Sequence, residues 1–144
     1  MKILVATDGS RAGGAAVKFA SSLLDGQKGE LIVLTVYAGG GTLENGASKL
    51  RKEAQSVLEA TAREMRRRGS PPARFELVQA RGADDVPDAI SRQADHWRVD
   101  LVVVGSEGRE SLSEWVVGGT ALRLIYVTRR PVTVVRAPRK RLPR

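Results

Sequence analysis

The chain has 144 residues, with 24 Lys and Arg against 16 Asp and Glu, one histidine and no cysteine. The length suits one compact domain, since domains cluster at about 100–150 residues. The missing cysteine excludes disulfides, Cys-ligated zinc and thiol catalysis, and a single histidine (His96) argues against a His-ligated metal centre.

The opening KILVAT (2–7) predicts a first strand, closed by the turn signal Asp8-Gly9-Ser10. It runs straight into a strand pattern rather than a signal peptide, and no apolar run approaches the roughly 20 residues of a membrane span, so a soluble, cytoplasmic protein is expected. From Ser10 the apolar residues Ala16, Phe19, Ala20, Leu23 and Leu24 recur at helical spacing until Asp25-Gly26. Residues 30–37 (ELIVLTVY) read as a buried second strand, and AGGGTLENGA (38–47) as a loop of about ten residues. Leu50, Ala54, Val57, Leu58, Thr61 and Met65 predict a long second helix. It ends in Arg63, Arg66, Arg67, Arg68 and Gly69, where arginines complement the helix dipole.

After Pro71-Pro72 a third strand is expected over 75–80, a turn at Arg81-Gly82, and a third helix carrying Val86, Ile90, Ala94 and Trp97. LVVVG (101–105) is the most apolar strand and belongs at the centre of a sheet covered on both faces. A loop with Gly105 and Gly108 follows, then an apolar stretch around Trp115-Val116-Val117. Ala121, Leu122 and Ile125 predict a fourth helix, and Pro131-VTVV-Arg136 a fifth strand, whose proline is tolerated because it sits at the start. The tail 137–144 has two prolines, four basic residues and one leucine, too little to bury itself, so it is expected to be disordered.

Five strands alternating with four helices predict a single-domain parallel α/β sheet with helices on both faces. Ligands of such sheets sit beyond the C-terminal strand ends, where the strand order reverses. The glycine-rich turns follow strands one and four, and they face one another if those strands are neighbours. A helix opening at Gly118-Gly119-Thr120 offers N–H donors and a positive dipole end, which suits phosphate. The alternative is that these glycines only shape tight turns. The Walker sequence G-x-x-x-x-G-K-[ST] is absent, and the first turn reads DGSRAGG rather than GxGxxG.

KILVATDGS (2–10), LIVLTV (31–36), DLVVVGSEG (100–108) and RPVTVVR (130–136) together resemble the universal stress protein family over residues 1–136. The resemblance implies an adenine nucleotide alpha hydrolase-like fold with strand order 3-2-1-4-5. It also implies ATP or another adenine nucleotide in the crevice between strands one and four, with Mg2+ accompanying it. Thr7 and Asp8 would lie near the ribose or the metal, and Val36 and Val104 would meet the adenine. The family's G-x2-G-x9-G-[ST] spacing is met by Gly105, Gly108 and Gly118. Gly119 stands where the family has Ser or Thr, and Ala121 replaces a second hydroxyl; Thr120 lies between them. Each lost hydroxyl removes a bond to a charged phosphate, about 1.5–3 kcal/mol or ten- to a hundredfold in affinity. Glycine keeps the N–H.

The function implied is a nucleotide-responsive stress or regulatory protein, a homodimer through residues 132–135, with at most slow ATP hydrolysis. The alternative within the family is a dimeric interaction module that binds no nucleotide. Outside the resemblance, Asp8 also reads as a turn residue or partner of Ser10, His96 as a surface or capping residue, and Asp84-Asp85 as dipole-complementing carboxylates. Ser111-x-x-Glu114 fits a capping box. No acidic residue stands at the end of strand three, where a phosphoacceptor would sit: the sequence there is Gln79-Ala80-Arg81. The net charge of +8 at first suggests nucleic acid, a membrane surface or small anions. Residues 129–144 hold seven of the basic residues and no acidic one, leaving 17 against 16 elsewhere. Without aromatic residues for stacking, nucleic-acid binding by that stretch would be non-specific.

Overall fold

The chain folds as alternating strands and helices: β1 (Lys2–Ala6), α1 (Arg11–Leu23), β2 (Glu30–Ala38), α2 (Glu44–Arg67), β3 (Ala73–Ala80), α3 (Val86–Trp97), β4 (Leu101–Gly105), α4 (Gly119–Val127) and β5 (Val132–Val135). The structure, a computed structural model, describes residues 1–39, 44–107 and 118–138. The five strands form one parallel sheet in the order β3-β2-β1-β4-β5. Ile3 is paired with Leu31 on one side and Leu101 on the other, so β1 lies at the centre.

Alternation of side chains across a strand divides the core in two. Ile3, Val5, Leu31, Val33 and Val103 face α1 and α2, packing on Ala16, Val17, Ala20, Leu58 and Met65. Leu4, Ile32, Leu34, Val102 and Val104 face the other way, onto Ile90 and Ala94 of α3 and Ala121 and Leu124 of α4. Two helices therefore cover each face. That is why β1, β2 and β4 are continuously apolar: neither face meets water.

Two boundaries depart from the sequence expectation. α2 starts at Glu44, so the connection expected over 38–47 is shorter and Gly46 lies within a helix. The helical stripe is weak there because Gly46, Ser48, Lys49 and Leu50 are exposed, so none of the described side chains before Ala54 is a buried apolar one. Asp84 and Asp85 belong to a short 3-10 turn, Ala83–Asp85, that leads into α3.

Local chemistry fixes the starts of α1 and α3. Ser10 caps α1, its hydroxyl accepting from the Gly13 N–H at 3.1 Å. Ser10→Ala is expected to lower stability by about 1 kcal/mol, read as a shift in the urea midpoint with an unchanged slope. Before α3, the Asp85 carboxylate accepts from Arg92 at 3.1 Å and from the Arg81 N–H at 3.1 Å. The Arg92 guanidinium, and then that N–H, hold the carboxyl below its ordinary range. A group lowered in the native state contributes fully above its unfolded pKa and loses that contribution as pH falls through the native one. Asp85→Asn should therefore lower the melting temperature at neutral pH. The gap to the parent chain should close below the usual carboxylate range, as calorimetric scans across pH would show.

Candidate functional site

At the C-terminal ends of the strands a crevice of about 1130 Å³ opens between β1 and β4. The ends of β1, β2 and β4, the first turns of α1 and α4, the entry to α3 and one side of α2 all line it. Thr7, Asp8, Val36, Val104, Gly105, Gly118, Gly119 and Thr120 lie together on its wall. Gly108 falls outside the described residues, as do the Trp115 stretch, the Ser111–Glu114 pair and residues 139–144 of the tail.

The wall begins where β1 runs out. The Thr7 N–H still follows the sheet, donating to the Leu34 carbonyl at 2.9 Å, and the buried Thr35 hydroxyl donates back to the Thr7 carbonyl at 3.0 Å. The chain then turns sharply. Gly9 adopts φ +81°, a conformation only glycine enters without cost, and its N–H donates to the Thr7 hydroxyl at 3.2 Å. Asp8 accepts from the Ser10 N–H at 2.9 Å, so its carboxylate shapes the turn while lining the crevice.

Glycines serve this wall in two different ways. A Cβ on Gly105 would stand 2.6 Å from the Ala12 carbonyl carbon and 2.8 Å from the Gly13 nitrogen, so β4 and the first turn of α1 touch only because position 105 has no side chain. A Cβ on Gly13 would stand 2.6 Å from the Thr7 hydroxyl. Gly119 is the opposite case, since a Cβ there would meet nothing within 4 Å. Packing does not require that glycine.

Gly118 is the N-cap of α4 and supplies no side-chain cap; its N–H donates to the Ser106 carbonyl. The first N–H groups of the helix have no partner within it and carry the positive end of its dipole. They open beside Gly118, Gly119 and Thr120, which line the crevice opposite the Thr7–Asp8 turn. An anion seated there would receive backbone hydrogen bonds without any Cβ from 118 or 119 in the way.

Several lining residues carry no local signature in the sequence. Glu53 arrives from α2, Asp84 from the turn before α3 and Arg123 from α4. Gly13 could have been flagged, because it stands three residues after an N-cap serine. Tyr37 is buried on the wall, its hydroxyl donating to Gln79 Oε1 at 3.4 Å. His96 stays off the crevice and packs edge-on against Trp97, with ring centres 5.0 Å apart. Among the described residues no three His, Cys, Asp or Glu side chains gather to hold a metal. No helix among them is long and apolar enough to cross a membrane.

A family model described as the universal stress protein family matches residues 1–136. The chain is 27% identical over 150 residues to universal stress protein YxiE of Bacillus subtilis (strain 168), covering 94% of this chain and 98% of that one. A universal stress protein solved in complex with cAMP superposes with a TM-score of 0.73 at 22% identity, over 96% of this chain and 98% of its own. The universal stress protein of Archaeoglobus fulgidus, solved in complex with dAMP, gives a TM-score of 0.72 at 22% identity, over 94% and 98%. These likenesses establish the same five-stranded architecture, and with a match across nearly the whole length, this chain belongs to the universal stress protein family.

Proposed function

We propose that the chain binds ATP or another adenine nucleotide in the β1/β4 crevice and works as a cytoplasmic, nucleotide-responsive regulator. The observation that carries this is that the α4 N-terminus and the Thr7–Asp8 turn line one cleft, which is large enough for a nucleotide. Relatives of the same fold crystallised with cAMP and dAMP support it. The base would lie against Val36 and Val104, the ribose by Asp8, and the phosphates at Gly105, Gly118, Gly119 and Thr120. Magnesium would be held mainly by the phosphates, and the Asp8 carboxylate on the crevice wall would supply a protein ligand. With no Walker sequence in the chain and no lysine or histidine among the described residues that line the crevice, hydrolysis would be slow.

Calorimetric titration with ATP, with and without magnesium, tests the proposal, together with the thermal shift that any native-state ligand must produce. No heat and no shift at millimolar ATP would overturn it. Gly119→Ser should strengthen binding about tenfold, by adding a hydroxyl to a charged phosphate. The space around position 119 is open, so the parent stability should be kept.

A second proposal concerns assembly: two copies pair through β5. Val132, Thr133, Val134 and Val135 form a half-buried strand edge without a charge, whereas the other edge strand, β3, carries Arg74 and Glu76. Uncharged edges invite pairing. Beside β5, α4 exposes Leu122, Ile125 and Tyr126 on one helical face. Light scattering should give a dimer with or without nucleotide; monomer at high concentration would refute it.

A further inference from the structure

The β1/β4 crevice is poor in positive charge. Among the described residues that line it, Asp8, Glu53, Asp84 and Glu107 are acidic and Arg123 alone is basic. Between Glu107 and Gly118 the sequence holds Arg109 against Glu110 and Glu114, so that stretch brings no cationic surplus. The four wall carboxylates come from four places in the fold: the turn after β1, α2, the 3-10 turn before α3 and the turn after β4. Among the described residues no three acids gather to hold a metal ion, and their charge bears on the ligand directly.

The positive potential lies on one element. Arg123 stands four positions after Gly119 on α4, hence on the same side of the helix, and both line the crevice. The N-terminus of α4 adds about half an elementary charge, so helix and guanidinium together supply about one and a half. That is close to the roughly −1.5 to −2 of a single phosphate ester at neutral pH. A second and a third phosphate bring more negative charge and find no further cation among the described walls. In water, each like-charge pair about 10 Å apart weakens binding about twofold before screening. Against several carboxylates, two extra phosphates should therefore lose about tenfold at low salt.

We propose, resting on the nucleotide-binding reading above, that the crevice is a single-phosphate site. α4 and Arg123 hold one phosphate, and Asp8, Glu53, Asp84 and Glu107 select against each further one. The ligand class it favours is an adenine nucleoside monophosphate. A triphosphate competes only when a divalent cation masks its charge.

The test is calorimetric titration of the full chain with AMP, ADP and ATP, at low and high salt, with and without magnesium. At low salt without magnesium, AMP should bind about tenfold more tightly than ATP, with ADP between them. Salt or magnesium should narrow that gap. Glu53 and Asp84 are exposed and touch neither base nor phosphate in the placement above, so Glu53→Gln/Asp84→Asn should melt like the parent. This double variant should gain about fivefold for magnesium-free ATP and at most about twofold for AMP. Arg123→Gln should weaken AMP and ATP alike, since both place one phosphate there. ATP binding as tight as AMP in the parent at low salt without magnesium would overturn the proposal and leave the nucleotide reading standing. So would a preference for AMP that salt does not move, or a double variant whose ATP affinity does not rise. If none of the three nucleotides gives heat or a thermal shift, the nucleotide reading itself falls, and this proposal with it.

Discussion

Gly105→Ala is expected to destabilise the chain by about 2–3 kcal/mol in urea unfolding, and to weaken nucleotide binding further than the loss of stability alone explains. The added methyl would meet the Ala12 carbonyl carbon at 2.6 Å, the Gly13 nitrogen at 2.8 Å and the Ala12 methyl at 2.9 Å. Two of those atoms are backbone, which cannot rotate aside as a side-chain tip can. Relief requires the first turn of α1 to lift from β4, or the end of β4 to leave β5, where Gly105 is paired with Val135 and the Ser106 N–H donates to the Val135 carbonyl at 2.8 Å. The first movement carries the Ser10 cap and Asp8 with it; the second displaces the strand end opposite Gly118. Either way the two halves of the crevice separate. Gly119→Ala is the matched control, because its methyl would meet open space, and it should change stability by less than about 0.5 kcal/mol. Equal stability for both variants would mean that α1 slides freely over β4.

That contrast marks what a sequence can and cannot say about this site. Gly105 and Gly119 look alike as letters in a glycine-rich stretch, and both were placed at the phosphate end. Only the approach of α1 to β4, a contact across more than 90 positions of chain, makes one of them obligatory. The Thr7–Asp8 turn was legible because its chemistry is local: a glycine at positive φ and an Asp bonded two residues on. Glu53, Asp84 and Arg123 were not legible as neighbours, since each reaches the crevice on a different element.

The sheet was easier to read, for a physical reason. With helices on both faces, β1, β2 and β4 lack the polar alternation that would blur them, and their apolar runs stand out. The strand order came from the family resemblance and is the order observed. The start of α2 was missed because Gly46, Ser48, Lys49 and Leu50 of its first turns are exposed, so the hydrophobic period had little on which to register before Ala54. The charge excess is another matter. As a property of the whole chain it pointed to polyanions, and as a count by segment it receded to the end of the sequence. Near that end, the Pro138 carbonyl accepts from Arg11 Nη2 at the start of α1.

The register of α4 decides which way its N–H groups point, and Leu124→Ala against Ile125→Ala examines it directly. Leu124 is fully buried, packed with Leu4, Ile32, Val102 and Ile90 between α4 and the sheet. Its truncation should cost about 2–5 kcal/mol, the range for a leucine whose surroundings cannot collapse around the gap. Ile125, one position and about 100° further round the helix, is half exposed, and its truncation should stay within about 0.5 kcal/mol. Only Ala121 and Leu124 of this nine-residue helix are buried, so Leu124 supplies most of what seats it. Loosening that seat lets the N-terminus at Gly118 and Gly119 drift from the Thr7–Asp8 turn. Leu124→Ala should therefore also weaken nucleotide binding, although Leu124 does not line the crevice. Ile125→Ala should leave nucleotide affinity unchanged and, if the copies pair through β5 and the exposed face of α4, shift the equilibrium toward monomer in light scattering. The reverse pattern, with Ile125 structural and Leu124 neutral, would mean that α4 is rotated by one residue and that a different set of N–H groups faces the cleft.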